Sequence, residues 1–201
     1  MAIFWLVGSM FLIGACATAN QTPQPREATF HRAGAADVNI RRIAIMNFEF
    51  KPQRYTHSEI EVILQSSERS IENGGEILTD TFASELMRTG KYEIVERSAL
   101  EKIVGELRLS ASGLTNEEMN QLGQLLQIDA LVLGKVNYFS ERKTAAGLSR
   151  TIKVSLTVRL VNIKTGAVVW MASDEIELKG TPVQAAQMLC SRMTGKIASS
   201  R

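Results

Sequence analysis

Residues Thr151 to Leu178 read TIKVSLTVRLVNIKTGAVVWMASDEIEL: two runs of period two, Thr151–Ile163 and Ala167–Leu178, divided by Lys164-Thr165-Gly166. Alternation sends successive side chains to opposite faces of a strand. The divider is short, with a glycine where φ can turn positive, so the two runs fold back on each other as an antiparallel hairpin. Upstream, Ala130–Phe139 (ALVLGKVNYF) has the same period and supplies a third strand. Pro182 follows at a position suited to a first helical turn. It opens a final helix, Val183 to Ile197.

The N-terminal half of the folded body alternates elements instead. Arg42–Phe48 is a strand with Ile43, Ile45 and Phe48 pointing inward. Lys51–Arg69 has no clear period, although Ser58 could cap a helix through Ile60 and Ile63-Leu64. Asn73-Gly74-Gly75 then precedes an amphipathic helix, Glu76 to Thr89, whose apolar stripe is Ile77, Leu78, Phe82, Leu86 and Met87. Gly90 ends it in the manner of a left-handed cap. Tyr92–Glu96 is a short strand. Ser98, with Glu101 three residues on, has capping-box spacing for a helix that buries Ala99, Leu100, Ile103, Val104 and Leu107. Thr115 and Glu118 repeat that spacing before a helix carrying Met119, Leu122, Leu125 and Leu126. The order β-α-β-α-α-β-β-β-α gives an α/β fold: a layered α/β domain with a mixed sheet flanked by helices.

Ahead of this body the chain changes character twice. Met1–Cys16, MAIFWLVGSMFLIGAC, is an apolar run too short to cross a bilayer as a helix, which takes about 20 residues. It has the length of a secretory signal's apolar region. Leu12-Ile13-Gly14-Ala15-Cys16 resembles a bacterial lipobox, which implies cleavage before Cys16 and lipidation of its sulfur; no basic residue precedes the run, unlike the usual signal. Ala17 to about Asp37, with Pro23 and Pro25 and no apolar period, reads as a flexible tether. Such a chain reaches ~25 Å root-mean-square. The expected organisation is a lipoprotein signal peptide over 1–15, a lipidated tether over 16–37 and an α/β domain over 38–201.

Composition excludes several functions. Hydrophobic residues at 45% and charged residues at 22% suit a folded globular chain. A formal charge of +2 gives no electrostatic support for a nucleic-acid partner. With Cys16 lipidated, Cys190 has no intramolecular partner, so no disulfide framework forms; among Met188, Leu189 and Met193 it reads as a buried inert thiol, against an intermolecular bridge.

No catalytic, cofactor or metal constellation emerges. His31 falls in the tether and His57 in an undefined loop, without acids or cysteines at ligand spacing. Gly74-Gly75 lacks the flanking pattern of a phosphate loop and reads as a helix-opening turn. Glu117-Glu118 favours the dipole of a first helical turn. Ser98 is a cap with no histidine in reach, and Glu96-Arg97 reads as a structural ion pair or an inter-subunit contact. Trp170 either packs under a helix or faces outward to mark a partner surface.

Several segments, in order, are similar to the CsgG-type curli production and transport lipoproteins: RRIAIMNF (Arg41–Phe48), GGEILTDTFASELMRTGKYEIVER (Gly74–Arg97), SALEKIVGELRLSASGL (Ser98–Leu114), LGQLLQIDALVLGKVNYF (Leu122–Phe139) and VRLVNIKTGAVVW (Val158–Trp170). The resemblance implies a non-enzymatic, lipid-anchored protein on the periplasmic side of the outer membrane, assembling into homo-oligomeric rings for export or assembly of a surface structure. Pore-forming members insert two β-hairpins per subunit into the membrane. Membrane strands need ~9–11 residues with an apolar outward face. Here only Ser140–Arg150 stands in the place of the first hairpin and Asp174–Thr181 in that of the second. Extending the strands would bring Glu141, Arg142, Lys143, Arg150 and Lys153 to lipid or lumen. Both hairpins are absent, so the expected role is a soluble ring or an accessory to a pore-former. The alternative is an LpoB-like regulatory adaptor that binds a peptidoglycan synthase or another envelope machine.

Overall fold

The computed structural model describes residues 29–32, 39–56, 67–108, 114–144 and 149–199. In chain order the elements are β1 (Thr29–Arg32), β2 (Arg42–Ile45), β3 (Glu49–Phe50), β4 (Ser67–Ser70), α1 (Gly74–Arg88), β5 (Glu93–Ile94), α2 (Arg97–Leu107), α3 (Asn116–Leu126), β6 (Ala130–Lys143), β7 (Arg150–Asn162), β8 (Val168–Lys179) and α4 (Pro182–Ser199). The strands form one mixed sheet in the order β1-β8-β7-β6-β2-β5, with β3 and β4 also pairing with β6. β6, β7 and β8 are antiparallel neighbours; β2 and β3 run parallel to β6, and β4 antiparallel to it. This is the α/β layered architecture expected from the sequence.

Helices cover both faces. α1 and α4 lie over one, burying Leu78, Phe82, Leu86, Leu189, Cys190 and Met193 against Val132, Val136, Phe139, Ile152, Val154 and Leu156. α2 and α3 lie over part of the other, burying Leu100, Met119, Leu122 and Leu126 against Ala44, Met46, Leu131, Val161 and Ile163. Each such side chain contributes roughly 1.5–3 kcal/mol on burial. β2 is therefore buried on both faces: Ile43 and Ile45 meet the first layer, Ala44 and Met46 the second. The inward set read from alternation held only half of that strand's core, because a strand between two helical layers has no solvent side.

A bulge in β6 between Val136 and Tyr138 shifts the register against β7, so Val136 and Phe139 both reach the first core at a spacing of three. In the β7–β8 turn, Asn162 Oδ1 accepts from the backbone N–H groups of Lys164 (2.9 Å) and Thr165 (3.1 Å), and Gly166 takes φ +67. α1 is locked to the strands through Thr79, whose hydroxyl accepts from Phe48 N–H (2.9 Å) and donates to the Gly75 carbonyl (2.8 Å).

Three local readings change, and a fourth lies outside the described residues. β1 lies inside the stretch read as tether: Phe30 rests on Trp170 with ring centroids 6.3 Å apart, and Thr29–Arg32 pairs antiparallel with Trp170–Ser173. Backbone pairing at a vacant sheet edge needs no apolar period, so the sequence carried no signal for it. Ser98 is not the cap of α2. Glu96 is, its carboxylate accepting from Ser98 N–H at 3.1 Å, while Glu101 bonds Arg97 at 2.7 Å. The Ser98 hydroxyl also donates to that carboxylate and is the largest cause of its lowered pKa. Met87 and Leu125, placed on apolar stripes, are exposed. The possible helix after Ser58 lies outside the described residues. The Thr115–Glu118 capping box forms as read, and Thr181–Gln184 makes the same reciprocal pair at the start of α4.

Two predictions follow from this packing. A Cβ on Gly75 would stand 2.8 Å from the Phe48 carbonyl oxygen. Gly75→Ala is expected to destabilise the protein by about 1–3 kcal/mol in chemical denaturation, although alanine is the better helix former. Asp129 Oδ2 accepts from the backbone N–H groups of Arg41 (2.9 Å) and Arg42 (3.0 Å), and the Arg42 bond is the main cause of its lowered pKa. A carboxyl depressed in the fold stabilises above its unfolded pKa, and this contribution is lost as pH falls through the folded value. The stability deficit of Asp129→Asn is therefore expected at neutral pH, should begin to shrink as pH falls below the ordinary aspartate value of about 3.9, and should vanish once the folded carboxyl is itself protonated.

Candidate functional site

Two surfaces combine unusual chemistry with accessibility. The first is the end of the β6–β7 hairpin. Arg69 of β4 and Arg150 of β7 both reach Glu141, at 2.8 Å to Oε2 and 2.7 Å to Oε1. Glu141 is 2% exposed, so its charge is held inside the sheet's end by two partners. On the opposite face Glu68 accepts from Arg142 (2.9 Å) and from the Ser140 hydroxyl (2.9 Å). Alternation along β4 thus delivers Arg69 to one side and Glu68 to the other, each against an oppositely charged or polar partner on β6. The charges that argued against a membrane strand are those that fasten β4 down. In the middle of β8, Asp174, buried, is bonded by Arg192 of α4, with Nε to Oδ2 at 2.8 Å.

The second surface is the half of the sheet that no helix covers among the described residues. β6 and β7 present Lys135, Asn137, Tyr138, Lys153, Thr157 and Arg159 here, opposite the core-facing Val136, Val154 and Val158. Its polar members bond one another: Asn137 donates to Ser155 Oγ (3.1 Å), Ser173 to Thr157 Oγ1 (2.9 Å) and Tyr138 to Glu175 Oε2 (2.9 Å). Lys153 lies 3.5 Å from Glu177. At its centre a recess of about 240 Å³ is lined by Glu49, Leu133, Gly134, Lys135, Thr157 and Arg159 among others. Lys135 and Arg159 are exposed and, among the described residues, have no ion-pair partner within 4.0 Å.

The remaining candidates fall elsewhere. Cys16 and His57 lie outside the described residues; His31 is on β1. Among the described residues no group of three or more His, Cys, Asp or Glu side chains is arranged to hold a metal. Gly74 and Gly75 open α1, where a Cβ on Gly74 would stand 2.7 Å from the Phe139 ring. Cys190 is fully buried, which pushes its thiol pKa well up and leaves it inert. Trp170 is packed inside, Nε1 donating to the Tyr92 hydroxyl at 3.1 Å; it marks no outer surface. Arg97 bridges Asp80 and Glu101 within the subunit. Lys135 and Arg159 were not singled out from the sequence. Their signal was present, since cations on the off-core phase of a strand mark an uncovered face, but alternation alone does not separate that from a solvated surface.

The family model for the curli production assembly/transport component CsgG matches residues 35–200. Among solved structures, the PelC dodecamer from Paraburkholderia phytofirmans is similar in two crystal forms: 13 and 14% identity, 84 and 87% of this chain, 96 and 98% of that chain, TM-scores 0.51 and 0.50. Lipoprotein GNA1162 from Neisseria meningitidis is similar at 17% identity, over 80% of this chain and 99% of that one, with a TM-score of 0.53. At these identities the likeness is one of fold. No curated protein matches the chain in sequence.

The Glu141 cluster yields a direct prediction. Glu141→Ala strands Arg69 and Arg150 and should lower stability by about 1–3 kcal/mol, with faster amide exchange in β4. Lys153→Ala, at a more exposed pair, should cost no more than about 1 kcal/mol.

Proposed function

Because the chain belongs to the CsgG family of curli production assembly/transport components, we propose that it is a non-enzymatic, lipid-anchored scaffold for export or assembly of a surface structure, working as a homo-oligomer at the periplasmic side of the outer membrane. What carries this reading is a family match over residues 35–200, all of the folded body but β1, combined with short connections at the two places where the resemblance puts membrane hairpins. β6 and β7 are joined through residues 144–149, and β8 and α4 through Gly180 and Thr181. With so little chain at either place, the protein works as a soluble ring or beside a separate pore-former.

The dodecameric state of PelC supports homo-oligomerisation as the working form. The sheet face that no helix covers among the described residues supports contact as the activity: it is polar and presents the exposed Lys135 and Arg159. The lipobox-like Leu12–Cys16 supports the anchor. With Thr29–Arg32 paired on β8, a tether running from Cys16 would have only the residues ahead of Thr29 to span with. Its reach falls to roughly 20 Å by the same square-root scaling, which keeps the body near the bilayer.

The test is the native mass of the full-length protein extracted from membranes in mild detergent, alongside labelling with alkyne-palmitate. A discrete high-order oligomer and a label that Cys16→Ser abolishes are expected. A monomer would overturn the ring, and an unlabelled wild-type chain would overturn the anchor.

A further inference from the structure

Resting on the homo-oligomeric reading above, we propose that the recess on the uncovered sheet face is the receiving half of a head-to-tail contact, and that its occupant is the acidic approach to α1 in a second copy of this chain. The receiving side is cationic. Lys135 sits opposite Thr157 in the β6–β7 register and Arg159 opposite Leu133, so the two are diagonal neighbours on adjacent strands. Such neighbours stand roughly 7–8 Å apart, close enough to act on one acidic segment. Glu49 lines the same recess, leaving it with one net positive charge from two cations and one acid. Leu133 and Met171 add apolar wall, and the volume of about 240 Å³ admits one or two side chains but no large ligand.

The donating side lies across the molecule. α1 packs on the sheet face opposite the recess, so its outer surface points away from it. Glu72, in the turn before α1, and Glu76, in its first turn, are exposed. Among the described residues neither has an ion-pair partner within 4.0 Å. In the hollow beside Glu72, Arg69 and Glu68 are already paired with Glu141 and Arg142, so Glu72 and Glu76 against Arg54 leave this side with one net negative charge. A net cationic side and a net acidic side are the arrangement that a heterologous interface requires. Repeated from copy to copy, it closes into a ring where the rotation permits. Two facing recesses would repel each other, so a two-fold pairing through this face is disfavoured. The surrounding polar residues already bond one another, and a second copy can cover them without orphaning a buried donor.

Charge reversal in the full-length, detergent-extracted protein tests the pairing by native mass, with circular dichroism and the melting temperature confirming that each variant folds. Lys135→Glu/Arg159→Glu leaves both sides acidic, and Glu72→Lys/Glu76→Lys leaves both sides basic; each alone is expected to run as a monomer. Mixed in equal amounts, the two should reassemble into an alternating oligomer, because each side then meets its complement; its mass equals the wild-type mass where the wild-type subunit number is even. A monomeric wild type would overturn the oligomer itself and this contact with it. An oligomeric wild type whose mass survives either double reversal, or folded variants that fail to reassemble on mixing, would overturn this contact alone.

Discussion

β6 is the strand on which every layer depends. One of its edges is occupied along its whole length by β7. The other is shared in succession by β2 at Ala130–Val132, β3 at Lys135–Val136 and β4 at Ser140–Lys143. Three separate chain passes therefore satisfy one ladder, and each anchors a different feature. β2 places the doubly buried centre of the sheet, β3 brings Phe48 and Phe50 beneath the start of α1, and β4 closes the hairpin end. The bulge after Val136 lets one strand serve both ends, because it returns Phe139 to the core where strict alternation would have turned it to solvent.

The close approach of α1 is the tightest consequence of that arrangement. Gly74 and Gly75 meet Phe139 and the Phe48 carbonyl with no room for a Cβ, and Gly134 meets the Phe48 ring in the same way. Paired glycines before a helix invite comparison with an anion-binding turn. Here they serve packing: the space a phosphate would need is filled by aromatic rings and a strand backbone. Thr79 completes the seal by satisfying Phe48 N–H and the Gly75 carbonyl at once, so no polar group is left unpaired at the junction.

The hairpin end explains how a family built around membrane insertion can yield a member without it. Where an inserting relative would continue β6 and β7 into an apolar bilayer segment, this chain ends them in charges and folds β4 across them. Glu141 inside two guanidinium groups and Glu68 against Arg142 make that end a closed polar knot.

Much of this was legible in the residues. Period two in Ala130–Phe139 and Thr151–Leu178, the stripe Leu78-Phe82-Leu86, the Thr115–Glu118 box and the Lys-Thr-Gly turn each depend on contacts within a few residues, so the linear pattern determined the element types and the α/β class. The missing hairpins were equally plain, being a matter of chain length and charge. Decided only by tertiary structure were features that depend on partners far apart in the chain. β1 exists because Trp170–Ser173 offers an edge more than a hundred residues away. Glu96 displaces Ser98 as cap because Arg97, drawn to Asp80, also holds Glu101. Lys135 and Arg159 form a recess because α2 and α3 stop short of them on the sheet. Periodicity tells which face of a strand a side chain takes; only the packed layers decide whether that face is covered.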